Sequence, residues 1–136
     1  MYNKIKNDIL GKEYSLSIAY ISKAKAQEIN KKYRKKDKPT NVLSFPFSKN
    51  EGEILLCRSL IKEETKNKNK TGGRNYTEWL SFLVIHGMLH LKGHTHSSKM
   101  ERAEALYDKK YFYGHRHRVG NDTSGSGRIP KRRNKS

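Results

Sequence analysis

The stretch VIHGMLHLKGHTHSS, Val84 to Ser98, carries four of the chain's six histidines and closes its most apolar segment. It continues a run that begins at Tyr76, and from there to Leu91 the pattern YTEWLSFLVIHGMLHL is apolar all round. A helix with no polar face lies buried at the centre of a fold. His86 and His90 are four residues apart, one helical turn, so their side chains leave the helix in the same direction. That is the spacing with which a helix presents two imidazoles to one tetrahedral metal ion. Gly93 follows as a natural helix terminator. The chain can then fold back so that "HTH" (residues 94–96) delivers a third ligand. Three histidines with one position open are the coordination of a catalytic zinc site, although imidazole also suits nickel, copper and iron. A lone histidine on an apolar helix is more often a satisfied core residue. Several in one short run each need a hydrogen-bond partner, and the local Leu, Met and Gly provide none.

The spacing is also that of the H-E-x-x-H peptidase motif, whose glutamate is the general base. Here Gly87 occupies that position, and a glycine takes no proton. Peptidase chemistry is therefore disfavoured.

Outward from this helix the pattern alternates strands with helices. MYNKIKNDILG predicts a short helix closed by Gly11. In YSLSIAYIS, Leu16, Ile18 and Tyr20 alternate with small residues, which predicts a strand with one buried face. KAKAQEINKKYRKKD predicts a helix with Ala26, Ile29 and Tyr33 on its inner face, stopped by Pro39. TNVLSFPF predicts a strand at an edge, because Pro46 lacks a ladder donor. After a turn at SKNEGE, the apolar run Ile54 to Cys57 predicts a strand covered on both faces. RSLIKEETKNKNKTGG starts as a polar helix and decays into a loop. Ser98 and Glu101 form a capping box opening a last helix that runs to about Tyr113. The class expected is α/β (α+β): a single domain with a mixed sheet of about four strands, helices packed on it and the histidine helix at its centre.

Charge adds a partner. Thirty Lys and Arg against 13 Asp and Glu give a formal net charge of +17 on 136 residues. An excess of that size costs self-repulsion and points to a polyanion, with nucleic acid the leading candidate. Residues 114–136 hold seven Lys and Arg against one Asp and no apolar run, a basic tail expected to be disordered in isolation. Residues 1–113 are basic without it, and the tail reads as an arm for nucleic acid. No apolar run has the length of a membrane span, and the opening residues are too polar for a secretory signal. The single cysteine, Cys57, excludes an internal disulfide framework and is compatible with a reducing cytosol.

Three segments together resemble the YbeY family of single-strand-specific endoribonucleases, which act in rRNA maturation. HGMLHLKGHTH is similar to the family's H-G-x-L-H-L-x-G-[YFH]-D-H, with Thr95 in place of its aspartate. INKKYRKKDKPTNVLSFPF is similar to N-x-x-Y-R-x-K-D-x-P-T-[DN]-V-L-S-F-P, and GEILLC to the strand G-D-I-x-I-C. The likeness runs from about Gln27 to about Lys110. It implies a zincin-like arrangement and one Zn2+ ion on His86, His90 and His96, with His94 a neighbour of the site. It places a functionally important arginine at Arg34, where a guanidinium fork fits a phosphate. Arg34 and His86 are then the catalytic residues, and Lys35, Lys36 and Lys38 would join Arg34 along the RNA backbone. The implied activity is a zinc-dependent, cytoplasmic endoribonuclease acting on single-stranded RNA, with ribosomal subunits as partners. The alternative is a ribosome-associated assembly factor whose metal is structural. At Thr95 the hydroxyl keeps a hydrogen-bonding oxygen but loses the charge that an outer carboxylate gives a metal site.

Overall fold

The computed structural model describes residues 2–93 and 97–111. His94, Thr95, His96 and the basic tail therefore lie outside the described residues. The elements in chain order are α1 (Asn3–Ile9), β1 (Ser15–Tyr20), α2 (Lys23–Arg34), β2 (Val42–Ser48), β3 (Glu51–Leu56), α3 (Arg58–Glu64), α4 (Lys68–Thr71), α5 (Tyr76–Lys92) and α6 (Ser98–Tyr111). The class is a mixed α+β fold. Among the described residues the sheet has three strands in the order β1-β3-β2, against the four expected. β3 runs parallel to β1 and antiparallel to β2, with Ile18 opposite Ile54 and Ser44 opposite Ile54. Pro46 accordingly sits on an edge strand, where its missing N–H costs no ladder bond.

β3 is central but is not fully covered on both faces. Gly52, Ile54 and Leu56 are buried, while Glu53 and Leu55 opposite them are half-buried and Glu51 is exposed. The buried face meets α5. Val84, Ile85, Met88 and Leu89 of that helix join Ile54 and Leu56 in the core, and Ile5 and Ile9 of α1 pack on the same cluster. Asn75 caps α5: its side chain accepts from the Glu78 N–H at 2.9 Å, and Glu78 accepts from the Asn75 N–H at 3.0 Å. This reciprocal box satisfies two of the helix's orphan donors. Gly93, with φ of 109°, ends α5 as anticipated.

Several boundaries differ from the sequence reading; β3 already begins at Glu51, inside the stretch expected to be a turn, and ends at Leu56. α2 ends at Arg34 because Lys35 adopts a left-handed φ of 59°, so the helix is already closed before Pro39. Its inner face is Ala26 and Asn30, while Tyr33 is 60% exposed. Asn30 is buried because its side chain donates 2.9 Å to the Lys38 carbonyl, folding the Lys-rich turn back onto the helix. The last helix is capped by Ser97, whose hydroxyl accepts from the Met100 N–H at 3.3 Å. Ser98 is its first helical residue. A further short helix, α4, occupies part of the Lys/Asn-rich stretch read as loop.

Gly87 explains how closely α5 lies on the sheet. A β-carbon there would come within 3.0 Å of Ile54 Cδ1 and 3.1 Å of Ser44 Oγ. The Ser44 hydroxyl donates to the Gly87 carbonyl at 3.1 Å across the same contact. A glutamate at this position would drive into the layer between helix and sheet, which removes the remaining basis for a peptidase. Even Gly87→Ala is expected to lower stability by about 1–2 kcal/mol, overpacking outweighing the gain in helix propensity. A urea midpoint equal to or above wild type would contradict that expectation.

The far side of α5 is closed by α6. Met100 and Asp108 are fully buried on it, and Asp108 accepts from Arg74 at 2.9 Å. Burial pushes the Asp108 carboxyl above the usual carboxylate range, against the opposing pull of Arg74. In the same last turn of α6, hydrogen bonds from Lys110 and Tyr111 hold Asp8 below that range.

Candidate functional site

α5 brings His86 and His90 to the edge of the sheet on one helical turn. Their ring centroids are 4.6 Å apart and nearly perpendicular, with an interplanar angle of 76°. They open into a cleft of about 470 Å³ bounded by the end of α2, by β2 and by α5. Tyr33 and Arg34 line the same cleft from the end of α2, and Ser44 and Phe45 line it from β2. Arg34 and the histidine pair, far apart in sequence, therefore face one space. The described lining holds no Asp or Glu, so the charge in this cleft suits an anion.

Local structure holds each side in place. Arg34 is the last residue of α2, and the left-handed Lys35 and the Asn30–Lys38 bond turn the chain sharply after it. The β2 wall is anchored behind the cleft by Glu64. Glu64 Oε1 accepts from Asn41 Nδ2 at 3.0 Å and from the Trp79 indole N–H at 2.9 Å, joining α3, α5 and the entry to β2. Tyr33 meets Phe45 edge-on at 5.5 Å, leaving much of its ring open to solvent beside Arg34. Lys35, Lys36 and Lys38 are exposed but do not line the cleft; they lie on the turn that leaves it.

One residue in contact with the histidine pair escaped the sequence reading. Glu104 of α6 contacts His86, with Nδ1 and a carboxylate oxygen in hydrogen-bond contact, and the side chains are 21% and 12% exposed. No motif announces Glu104, since only the packing of α6 on α5 brings it there. Among the described residues no group of three His, Cys, Asp or Glu is arranged to hold a metal, and His96, the expected third ligand, lies outside them. The donors that are described do fit a zinc ion. Two imidazoles share one turn, the spacing with which a helix offers both to one metal ion. No helix among the described residues is long and apolar enough to cross a membrane.

The family model described as endoribonuclease YbeY matches residues 2–113. The chain belongs to the YbeY family. Relatives described as endoribonuclease YbeY include one from Colwellia psychrerythraea, 39% identical over 99 residues that cover 68% of this chain and 61% of the relative. Another, from Thermotoga neapolitana, is 35% identical over 71% of this chain and 63% of its own length. One from Staphylococcus carnosus is 32% identical over 77% of this chain and 74% of its own. The chain thus spans about three fifths of the first two relatives. The solution structure of TM1509 from Thermotoga maritima shares the YbeY-family chain's architecture with a TM-score of 0.56 at 28% identity, covering 91% of this chain and 87% of that one. All three sequence segments that carried the likeness, the Arg34 segment, GEILLC and the histidine segment, fall within the residues matched by the family model.

Proposed function

We propose that this chain is a metal-dependent endoribonuclease specific for single-stranded RNA, acting in rRNA maturation in the cytoplasm on ribosomal subunits or their precursors. The observation that carries the reading is the shared cleft, where Arg34 faces His86 and His90. His86, His90 and His96 would hold one zinc ion. When bound, the ion supplies Lewis acidity to a phosphoryl oxygen and acidity to a coordinated water.

The protein's own groups do the rest. The Arg34 guanidinium offers a planar fork to the scissile phosphate and offsets the negative charge that develops there. The preference for single strands follows from Tyr33. Its exposed ring beside Arg34 offers a stacking surface that only an unpaired base can reach. Lys35, Lys36 and Lys38, on the turn outside the cleft, would follow the backbone as it leaves the site, giving an affinity that falls with salt. The absence of Asp and Glu from the described lining keeps like charge away from the phosphates.

Metal analysis of the purified chain, coupled to cleavage of an RNA oligonucleotide with and without chelator, tests the proposal. About one equivalent of zinc, chelator-sensitive cleavage and recovery on adding zinc back are expected. Bound metal with no cleavage would instead support the assembly factor with a structural ion. Cleavage that survives complete metal removal would overturn the metal dependence.

A further inference from the structure

We propose that Glu104 is the positioning residue of the histidine pair, its carboxylate accepting the Nδ1 proton of His86 so that Nε2 is the nitrogen presented to a metal. The inference rests on the function proposed above and adds a residue to it. A neutral imidazole has one donor and one acceptor nitrogen. A carboxylate on Nδ1 therefore selects the tautomer with its lone pair on Nε2, and it also fixes the rotation of the ring. His86 and Glu104 are in direct contact, and the edge-on packing of the His86 ring against His90 makes that rotation matter to both donors.

Glu104 is held where it is. Met100, Glu104 and Asp108 follow at one-turn intervals along α6 and share a face. Met100 is 1% exposed and Asp108 2%, so the residues one turn before and one turn after Glu104 are locked into the core. Asp108 is further tied by its ion pair with Arg74. A carboxylate mounted between two such anchors, itself only 12% exposed, is not a mobile surface charge that happens to meet a histidine. Outer partners of this kind orient a ligating imidazole and raise its basicity, and their loss typically weakens metal binding by about 10–100-fold.

A purely structural Glu104, clamping α6 to α5, would shift unfolding without touching the metal. Two variants of similar volume separate the roles: Glu104→Gln retains an oxygen that accepts the Nδ1 proton, and Glu104→Leu has none. Zinc affinity of the full chain is read by competition with a chromophoric chelator, the coordination by the visible spectrum of the cobalt-substituted protein, and the fold by unfolding of the metal-free protein. Wild type and Glu104→Gln are expected to bind zinc within a few-fold of one another. Glu104→Leu is expected to bind about 10–100-fold more weakly, with an altered cobalt spectrum. Should the leucine variant fail to fold, Glu104→Ala takes its place. Equal zinc affinity and equal cobalt spectra in all variants would overturn the role of Glu104 while leaving the metal site standing. A wild-type chain that takes up no zinc would overturn the proposed function itself.

Discussion

Replacing Arg34 by alanine is expected to slow cleavage of a single-stranded RNA oligonucleotide by about 10²–10³-fold, the usual cost of removing one preorganised donor from a developing oxyanion. The loss should appear mainly in kcat, because in the proposed role the guanidinium would act most strongly on charge that grows during the reaction. Lysine should restore only part of the rate, since an ammonium is a point charge without the planar fork. Zinc content should not change, as Arg34 approaches the cleft from α2 and the histidines from α5. His86→Ala should abolish cleavage and weaken metal binding together. The pair of variants therefore separates the phosphate-facing half of the site from the metal-facing half. Undiminished cleavage by both, in preparations shown free of contaminating nuclease, would falsify the assignment.

The largest effect on stability is expected at Asp108. Alanine there leaves the Arg74 guanidinium, 17% exposed, without its carboxylate and in a largely buried setting. Breaking a buried pair from one side typically costs about 3–5 kcal/mol, and the partial exposure of Arg74 places this case near the lower end. Arg74 also lies over the Phe82 ring at 4.4 Å and donates to the Thr71 carbonyl at 3.1 Å. The disturbance should therefore spread from α6 to the glycine turn before α5. Urea unfolding would register it as a lower midpoint at unchanged slope. A midpoint shift worth less than about 1 kcal/mol, the scale of an exposed pair, would mean the pair is spanned by solvent. Asp108→Asn, which keeps the volume and one acceptor, should cost less.

How much of this could be read in the residues alone depends on whether the signal was local. α5 was legible from end to end: unbroken apolar character, a glycine terminator, and two histidines whose common direction follows from helical pitch. Its cap is equally local, since Asn75 and Glu78 have the spacing of the box. α2 was legible as a helix and misjudged in its orientation. Tyr33 is apolar enough to be placed inward, yet the burial of Asn30 on the Lys38 carbonyl turns the helix so that Tyr33 faces the cleft. A side chain that folds back on its own loop leaves no periodic trace. Arg34 was singled out through family likeness, and its approach to His86 is a tertiary fact that no spacing encodes. Glu104 was not legible at all. Its register relative to His86 is set by the docking of Met100 and Asp108, which is invisible to a reading of α6 by itself.

The position of β2 has a consequence for how the molecule keeps company with itself. Among the described residues this strand is both an edge of the sheet and part of the lining of the cleft, so a row of backbone donors and acceptors borders the opening. Such an edge invites a strand from another copy to add on, which would seal the cleft and seed aggregation. Two features of β2 resist this. Pro46 offers no N–H to an incoming strand, and the register irregularity between Pro46 and Ser48 breaks the regular spacing that such a strand would need. The same proline that marked β2 as an edge thus also guards it, keeping the cleft's border unsuited to a protein strand and accessible to a chain of a different chemistry.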